Sequence, residues 1–264
     1  MRGSPLLLLL LVGCSDGDLG DLARIPPVKG DVRGTGARLS DLNDPSKPQP
    51  TEGAEVNVTG VTVVAVDEYD ETNNGSSIGN LYVQDLPIDG QVPPYGGITL
   101  FDTSFNPPAL RVAAGDVVDV RGGYSEFAGP SSSPFAEGET LPELVGGTVR
   151  LRFEGSIPEP VTIPLSDLSS YDTGRKWLGI LVRVENVKAQ SDGYKSSSGR
   201  FSVRLEVAGV ADNKLPTINN ALMDVEGTQV PFTTGTEYAS VVGVVQFFYN
   251  FSISPRTAED ITPL

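Results

Sequence analysis

Histidine is missing altogether from the 264 residues, and cysteine occurs once. The first absence excludes a Ser-His-Asp or Cys-His catalytic constellation and any imidazole metal ligand. The second excludes an intrachain disulfide. Cations are scarce as well: 19 Lys and Arg stand against 34 Asp and Glu, a net charge of -15. Such a chain repels phosphate backbones on average, since nonspecific nucleic-acid binding is driven by cations that displace counterions, although the average does not forbid a local basic groove. The nucleophile and phosphate motifs GxSxG, SxxK and GxxxxGK[ST] are absent too. Ser125 in "GGYSEF" has no base at a telling spacing and reads as a turn. No local pattern singles out a carboxylate pair of the glycosidase kind. The expectation is a protein that is not an enzyme and carries no cofactor.

What the chain has in quantity is glycine and proline, 30 and 21 residues, with 39% hydrophobic and only 20% charged residues. That balance suits an all-β protein rich in turns. Strand patterns begin at "EVNVTGVTVVAV" (55–66), with Val56, Val58, Thr62, Val64 and Val66 expected on one side of the pleat and Asn57, Thr59, Val61 and Val63 on the other. They continue at 80–86, 97–101, 116–122, 148–155, 178–187, 201–207 and twice within 239–253. Helical periodicity is limited to "PLSDLSSY" (164–171) and, more weakly, "INNALMDV" (218–225).

The single cysteine stands directly behind an apolar run, Leu6–Val12, preceded by a short head with one positive charge at Arg2. Seven helical residues rise about 10 Å, far short of a hydrocarbon core of roughly 30 Å, so the run cannot span a membrane. It fits the apolar part of an export signal. Leu11, Val12, Gly13 and Cys14 resemble the lipobox of bacterial lipoproteins. That resemblance implies a signal peptide over 1–13, cleavage before Cys14, and acyl chains on the cysteine sulfur and its amino group, enough to anchor stably where one chain would not. Without Arg2 the net charge is -15 - 1 = -16. The implied location is the cell envelope, with Ser15 resembling the sorting residue of outer-membrane lipoproteins. The implied membrane partner is reached through the lipid alone, and an envelope protein or polymer partner is not identified.

Residues 14–53 read as a flexible tether, poor in aromatics and rich in Pro, Gly and acids. An alternative for part of it, Ala37–Leu42, is a short helix or edge piece packed on the body. Beyond it the strands repeat. Gly60 and Gly179, Gly79 and Gly199, Gly115 and Gly235, Gly123 and Gly243, and Phe127 and Phe247 match at offsets of 119 or 120 residues, each beside the same kind of strand. Two copies of one module are expected, over 54–160 and 161–264. The strand order suggests two tandem five-stranded Greek-key, OB-like barrels, with in-strand glycines at the bulges that bend a small barrel.

The stretches "GNLYVQD" (79–85), Gly97-Ile98, "GDVVDVRG" (115–122) and "ISPRTAEDI" (253–261) resemble the OB-fold modules that accompany secreted bacterial nucleases and occur in lipoproteins of myxobacterial type. The resemblance covers about 55–264 and implies a non-catalytic binding or scaffolding body, or alternatively an accessory module for extracellular nucleic acid or glycan. Nucleic acid is not favoured by the acidic charge. Tyr82, Arg183, Arg204 and Phe248 are the candidate ligand-binding residues. Aromatics such as Tyr95, Phe101, Phe105 and Tyr124 could stack on a ligand, but read more readily as core. The loop "DEYDETNNGSS" (67–77) offers hard oxygen ligands for calcium at Asp67, Asp70 and Asn74. An EF-hand-like count from Asp70 ends on Leu81 where a bidentate Glu is needed, so the loop reads as a solvated tip rather than a metal site.

Overall fold

The computed structural model describes residues 36–101, 104–105 and 112–264, with Ser104 and Phe105 described in backbone only. Leu11, Val12, Gly13, Cys14 and the tether up to residue 35 therefore lie outside the described residues, as does the Phe105 side chain. Fourteen strands dominate the described chain. The first six are β1 (Glu55–Val66), β2 (Leu81–Asp85), β3 (Gly97–Phe101), β4 (Ser104–Phe105), β5 (Val117–Phe127) and β6 (Leu141–Phe153). The rest are β7 (Val161–Thr162), β8 (Leu181–Lys188), β9 (Tyr194–Lys195), β10 (Phe201–Arg204), β11 (Thr217–Asn219), β12 (Glu237–Phe248), β13 (Asn250–Ser254) and β14 (Ile261–Pro263). Two four-residue helices, α1 (Leu39–Leu42) and α2 (Tyr171–Gly174), accompany them. No helix of the described residues is long and apolar enough to cross a membrane.

The strands divide into two sheets that do not share a pairing. In the first, pairings run β3-β2-β1-β5-β6, and a parallel β3–β6 pairing closes the ring. The second runs β8-β12-β13-β11-β10, with β13 and β11 parallel. An antiparallel bridge between Ala189 and Leu205, flanked by Glu206 N–H donating to the Lys188 carbonyl, returns β10 to the end of β8. Both halves thus follow one order: first strand, second, third, fifth, fourth, and back to the first. The matched glycines keep their backbone state as well: Gly60 and Gly179 both have φ +70°, a region closed to most side chains. Gly60 lies inside β1, whereas Gly179 precedes β8.

The alternation expected along β1 does not hold. Register shifts between Val58 and Val61, so Val58, Val61 and Val63 all join the first half's core. One extra residue at a bulge reverses the phase of every side chain beyond it. A second shift between Val63 and Ala65 leaves Val64 and Ala65 in a different apolar cluster, shared with Leu181, Leu222, Val242 and Val244 of the second half. The weak helix at 218–225 is also absent: β11 and a turn occupy it, because Ile218 is buried as a strand residue beside Val203 and Ile253. The segment 164–171 forms a 3-10 turn, Leu165–Ser169, that leads into α2.

Ala37–Leu42 takes the packed alternative rather than extending the tether. Ala37 bridges Val58 in parallel, and Leu39 and Leu42 enter the first core. Asp85 receives the Leu39 and Ser40 N–H groups at 3.1 and 3.0 Å, while the Asn43 side-chain amide donates to the Gly97 carbonyl at 2.7 Å. A carboxylate that accepts two otherwise free amides at a helix start supplies partners the short helix cannot provide itself.

The two halves are joined face to face. Gly97 and Gly179 bring their backbones together so closely that a Cβ on Gly179 would stand 2.5 Å from the Ile98 nitrogen. Gln84 accepts the Leu181 N–H at 2.9 Å, and Arg175 donates to Glu126 at 2.7 Å beside Tyr124, Thr140 and Tyr171. Fully burying a Val or Leu contributes roughly 1.5–3 kcal/mol, against about 1 kcal/mol net for a hydrogen bond, so the shared apolar cluster holds the halves together and the polar contacts set their register.

Candidate ligand cleft between the halves

Where the two sheets meet, a cleft of about 650 Å³ opens, with walls drawn from both. The first half supplies the turn after β1, with Asp67 and Glu71, and the strand residues Tyr82, Thr99, Phe101 and Glu143. The second supplies Arg200 and Ser202 from the approach to β10, Asn219 from β11, and Gln246 and Phe248 from β12.

The polar groups of the wall are mostly fixed. Gln246 Nε2 donates to the Tyr82 hydroxyl at 2.9 Å across the junction, and Asn219 Nδ2 donates to Ser252 at 2.8 Å while its Oδ1 accepts from Ser254 at 2.7 Å. Arg200 donates to Glu71 at 2.9 Å and lies 5.9 Å over the Phe248 ring. Apolar rings lie partly open beside them: Phe101 is 42% exposed, and Phe248, packed edge-on against Phe135 and Tyr249, is 50% exposed. Exposed aromatics next to anchored amides and acids make a surface that can cover a ring and bond its edge.

Electrostatically the cleft is acidic. Asp67 is only 3% exposed, and its Oδ1 has no hydrogen-bond partner. Burial, reinforced by the Glu71 charge, pushes its carboxyl up to about 7. Burial also raises Glu143 to about 7, and pushes the Tyr82 hydroxyl well above the ordinary phenol range. Among the lining residues Arg200 is the one cation, and Glu71 already holds it.

Of the four ligand-binding candidates, the structure brings two together. Tyr82 and Phe248 line the cleft from opposite halves, whereas Arg183 and Arg204 do not line it. Arg204 is exposed on β10, and Arg183 is half-buried on β8. Phe247 and Phe251, close to Phe248 in sequence, are core residues of the second half. The calcium trio is not assembled. Asp70 spends its carboxylate on the Asn74 and Gly75 amides of its own loop, Asn74 is exposed, and Asp67 is buried in the cleft wall. Among the described residues no cluster of three acidic, Cys or His groups is placed to hold a metal. Glu143, Asn219 and Gln246 carried no sequence signal: each is an ordinary strand residue that matters only because the second half folds against the first.

No protein family matches the chain, and no curated protein is similar to it. Among solved structures it is similar to a deletion mutant of the single-stranded DNA binding protein from Thermus aquaticus, at 14% identity over 78% of this chain and 93% of that one, with a TM-score of 0.20. So loose a superposition supports no conclusion about fold or ligand.

Proposed function

We propose that the chain is an exported, lipid-anchored binding protein of the cell envelope, with two OB-type barrels as one non-catalytic body and the cleft between them as its working surface. The lipobox-like Leu11–Cys14 supports the anchor, and Ser15 the outer-membrane address. The common ring order of the two halves supports the barrel reading, since parallel closure of third and fifth strands is how a five-stranded Greek-key barrel of this type is completed.

The observation that carries the binding role is the cleft itself, in which fixed amides and buried carboxyls lie beside exposed rings from both halves. Of the two ligand classes implied by the module resemblance, it suits glycan over nucleic acid. Unpaired carboxyls repel phosphodiesters, and the cleft's arginine is already paired. Hydroxyl-rich rings instead offer donors to the acceptors and faces to Phe101 and Phe248.

A screen of the detergent-solubilised full chain against envelope oligosaccharides and single-stranded DNA at low salt tests this. Retention of an oligosaccharide, weakened by Phe248→Ala, is expected. DNA binding that falls steeply with salt, or release of shortened sugars, would overturn the reading. For the anchor, Cys14→Ser should move the protein from the membrane fraction to the soluble one.

A further inference from the structure

The cleft has a chemical bias beyond general glycan binding. Its two buried polar atoms without partners, Asp67 Oδ1 and Asn80 Oδ1, are both acceptors. Neither Asp67 nor Glu143 has a cationic partner among the described residues, and the one cation of the lining, Arg200, pairs with Glu71. The groups around this corner are Asp67 and Glu71 from the turn after β1, Asn80 and Tyr82 at β2, Glu143 from β6 and Arg200 before β10. A buried acceptor with no donor is costly, and a buried carboxylate with no cation more so. The corner therefore leaves acceptors and negative charge unmatched.

Building on the glycan reading above, we infer that the cleft takes a ligand presenting a protonated primary amine to its acidic wall, where Asp67, Glu71 and Glu143 stand, with its ring or chain covered by Phe101 and Phe248. An ammonium supplies three donors and one charge, and is attracted to ring faces as well as to carboxylates. The exposed rings favour an amino sugar over an open-chain polyamine as the source.

Protons provide the signature. Both carboxyls sit near 7 when the cleft is empty, so each is partly protonated at neutral pH. An ammonium stabilises their ionised forms, and binding must then release protons. Affinity rises with pH as the carboxyls ionise while the amine keeps its proton, and falls again above about pH 7.7, where an amine of α-amino type is neutralised, so that binding is strongest near neutral pH. A neutral sugar whose hydroxyls donate to the same groups shows a shallower rise and no fall at higher pH, since it has no amine to titrate.

The test is calorimetry on the full chain in detergent, with a glucosamine trimer, its fully N-acetylated counterpart and spermidine as probes. Two buffers of different ionisation enthalpy count the protons. The expected result is binding of the trimer with proton release near pH 7, and a loss of about tenfold or more in Asp67→Asn and in Glu143→Gln, two variants that keep side-chain size. Spermidine binding as tightly as the trimer would keep the ammonium site and assign it to a polyamine source. Equal or tighter binding of the N-acetylated trimer, or affinity unchanged in both variants, would overturn the inference while leaving glycan binding intact. If neither sugar bound and the wider oligosaccharide screen were silent too, the inference and the glycan reading would fall together.

Discussion

The second strand of each half shows how one scaffold came to do two jobs. In the first half β2 places Tyr82, Gln84 and Asp85, and each works at a distance: Tyr82 meets Gln246, Gln84 meets the start of β8, and Asp85 caps the helix that begins the described chain. At the matching positions in and directly after β10 stand Ser202, Arg204 and Leu205. Ser202 lines the cleft, Arg204 faces solvent, and Leu205 is wholly buried in its own core. The glycines that bend the strands are common to both halves, while the polar residues that connect them belong to one. Scaffold and connection are thus separable in the sequence. The repeat supplies the former; the departures from it supply the latter.

The sharpest way to break the comparison is at the glycines. Gly179→Ala combines a positive φ with a Cβ driven into the backbone of Gly97 and Ile98, while Gly79→Ala at φ +76° meets nothing within 4 Å. Left-handed strain costs about 1–2 kcal/mol and overpacking about 1–3 kcal/mol more, so Gly179→Ala should lose roughly 2–5 kcal/mol against roughly 1–2 kcal/mol for Gly79→Ala. Denaturant melts of both variants would decide it; equal losses would mean that the halves do not press together at Gly97.

A smaller effect is expected from Asp85→Ala, which leaves the Leu39 and Ser40 amides without their acceptor at a cost of about 2–3 kcal/mol. Limited proteolysis should then cut near residues 36–50 while the rest of the body survives. Resistance equal to the parent would show that Leu39 and Leu42 hold the segment by apolar packing alone.

The smallest is a pH effect confined to the cleft. Asp67 has a folded pKa of about 7, raised from its ordinary 3.8. Its contribution is therefore complete below about pH 4 and is lost as pH rises through 7, amounting to roughly 2 kcal/mol between pH 5 and 7. Thermal melts across that range should show stability falling with pH, and Asp67→Asn should flatten the fall. An unchanged slope would place the titration elsewhere.

Much of the scaffold was legible in the sequence. β1 and β3 begin and end where their valine-rich or Gly-Ile patterns do, whereas Phe127 and Phe247, matched by spacing, do not play matching parts: Phe127 leaves its own half and packs with Phe247 on the second half's core. The start of β6 was hidden, because "LPELVGG" carries Pro142 and a glycine pair that read as a break. The face assignment on β1 failed because period 2 says nothing of a bulge. The cleft was half legible: Tyr82 and Phe248 stood out as aromatics, whereas Arg183 and Arg204 were chosen for charge in a site that proved acidic. Glu143 and Asn219 could not have been found, since they meet the other wall only through the packing of two sheets that share no pairing. Asp67 was singled out for metal binding, yet burial sets it to work as an unpaired carboxyl.

The central claim is that the cleft works as one site built by both halves. Amide hydrogen exchange on the full chain, with and without the glucosamine trimer, tests it most directly. Protection should rise together at residues 67–82 and 99–101 of the first half and at 199–202 and 246–250 of the second. Protection confined to one half, or appearing away from the cleft, would contradict the account.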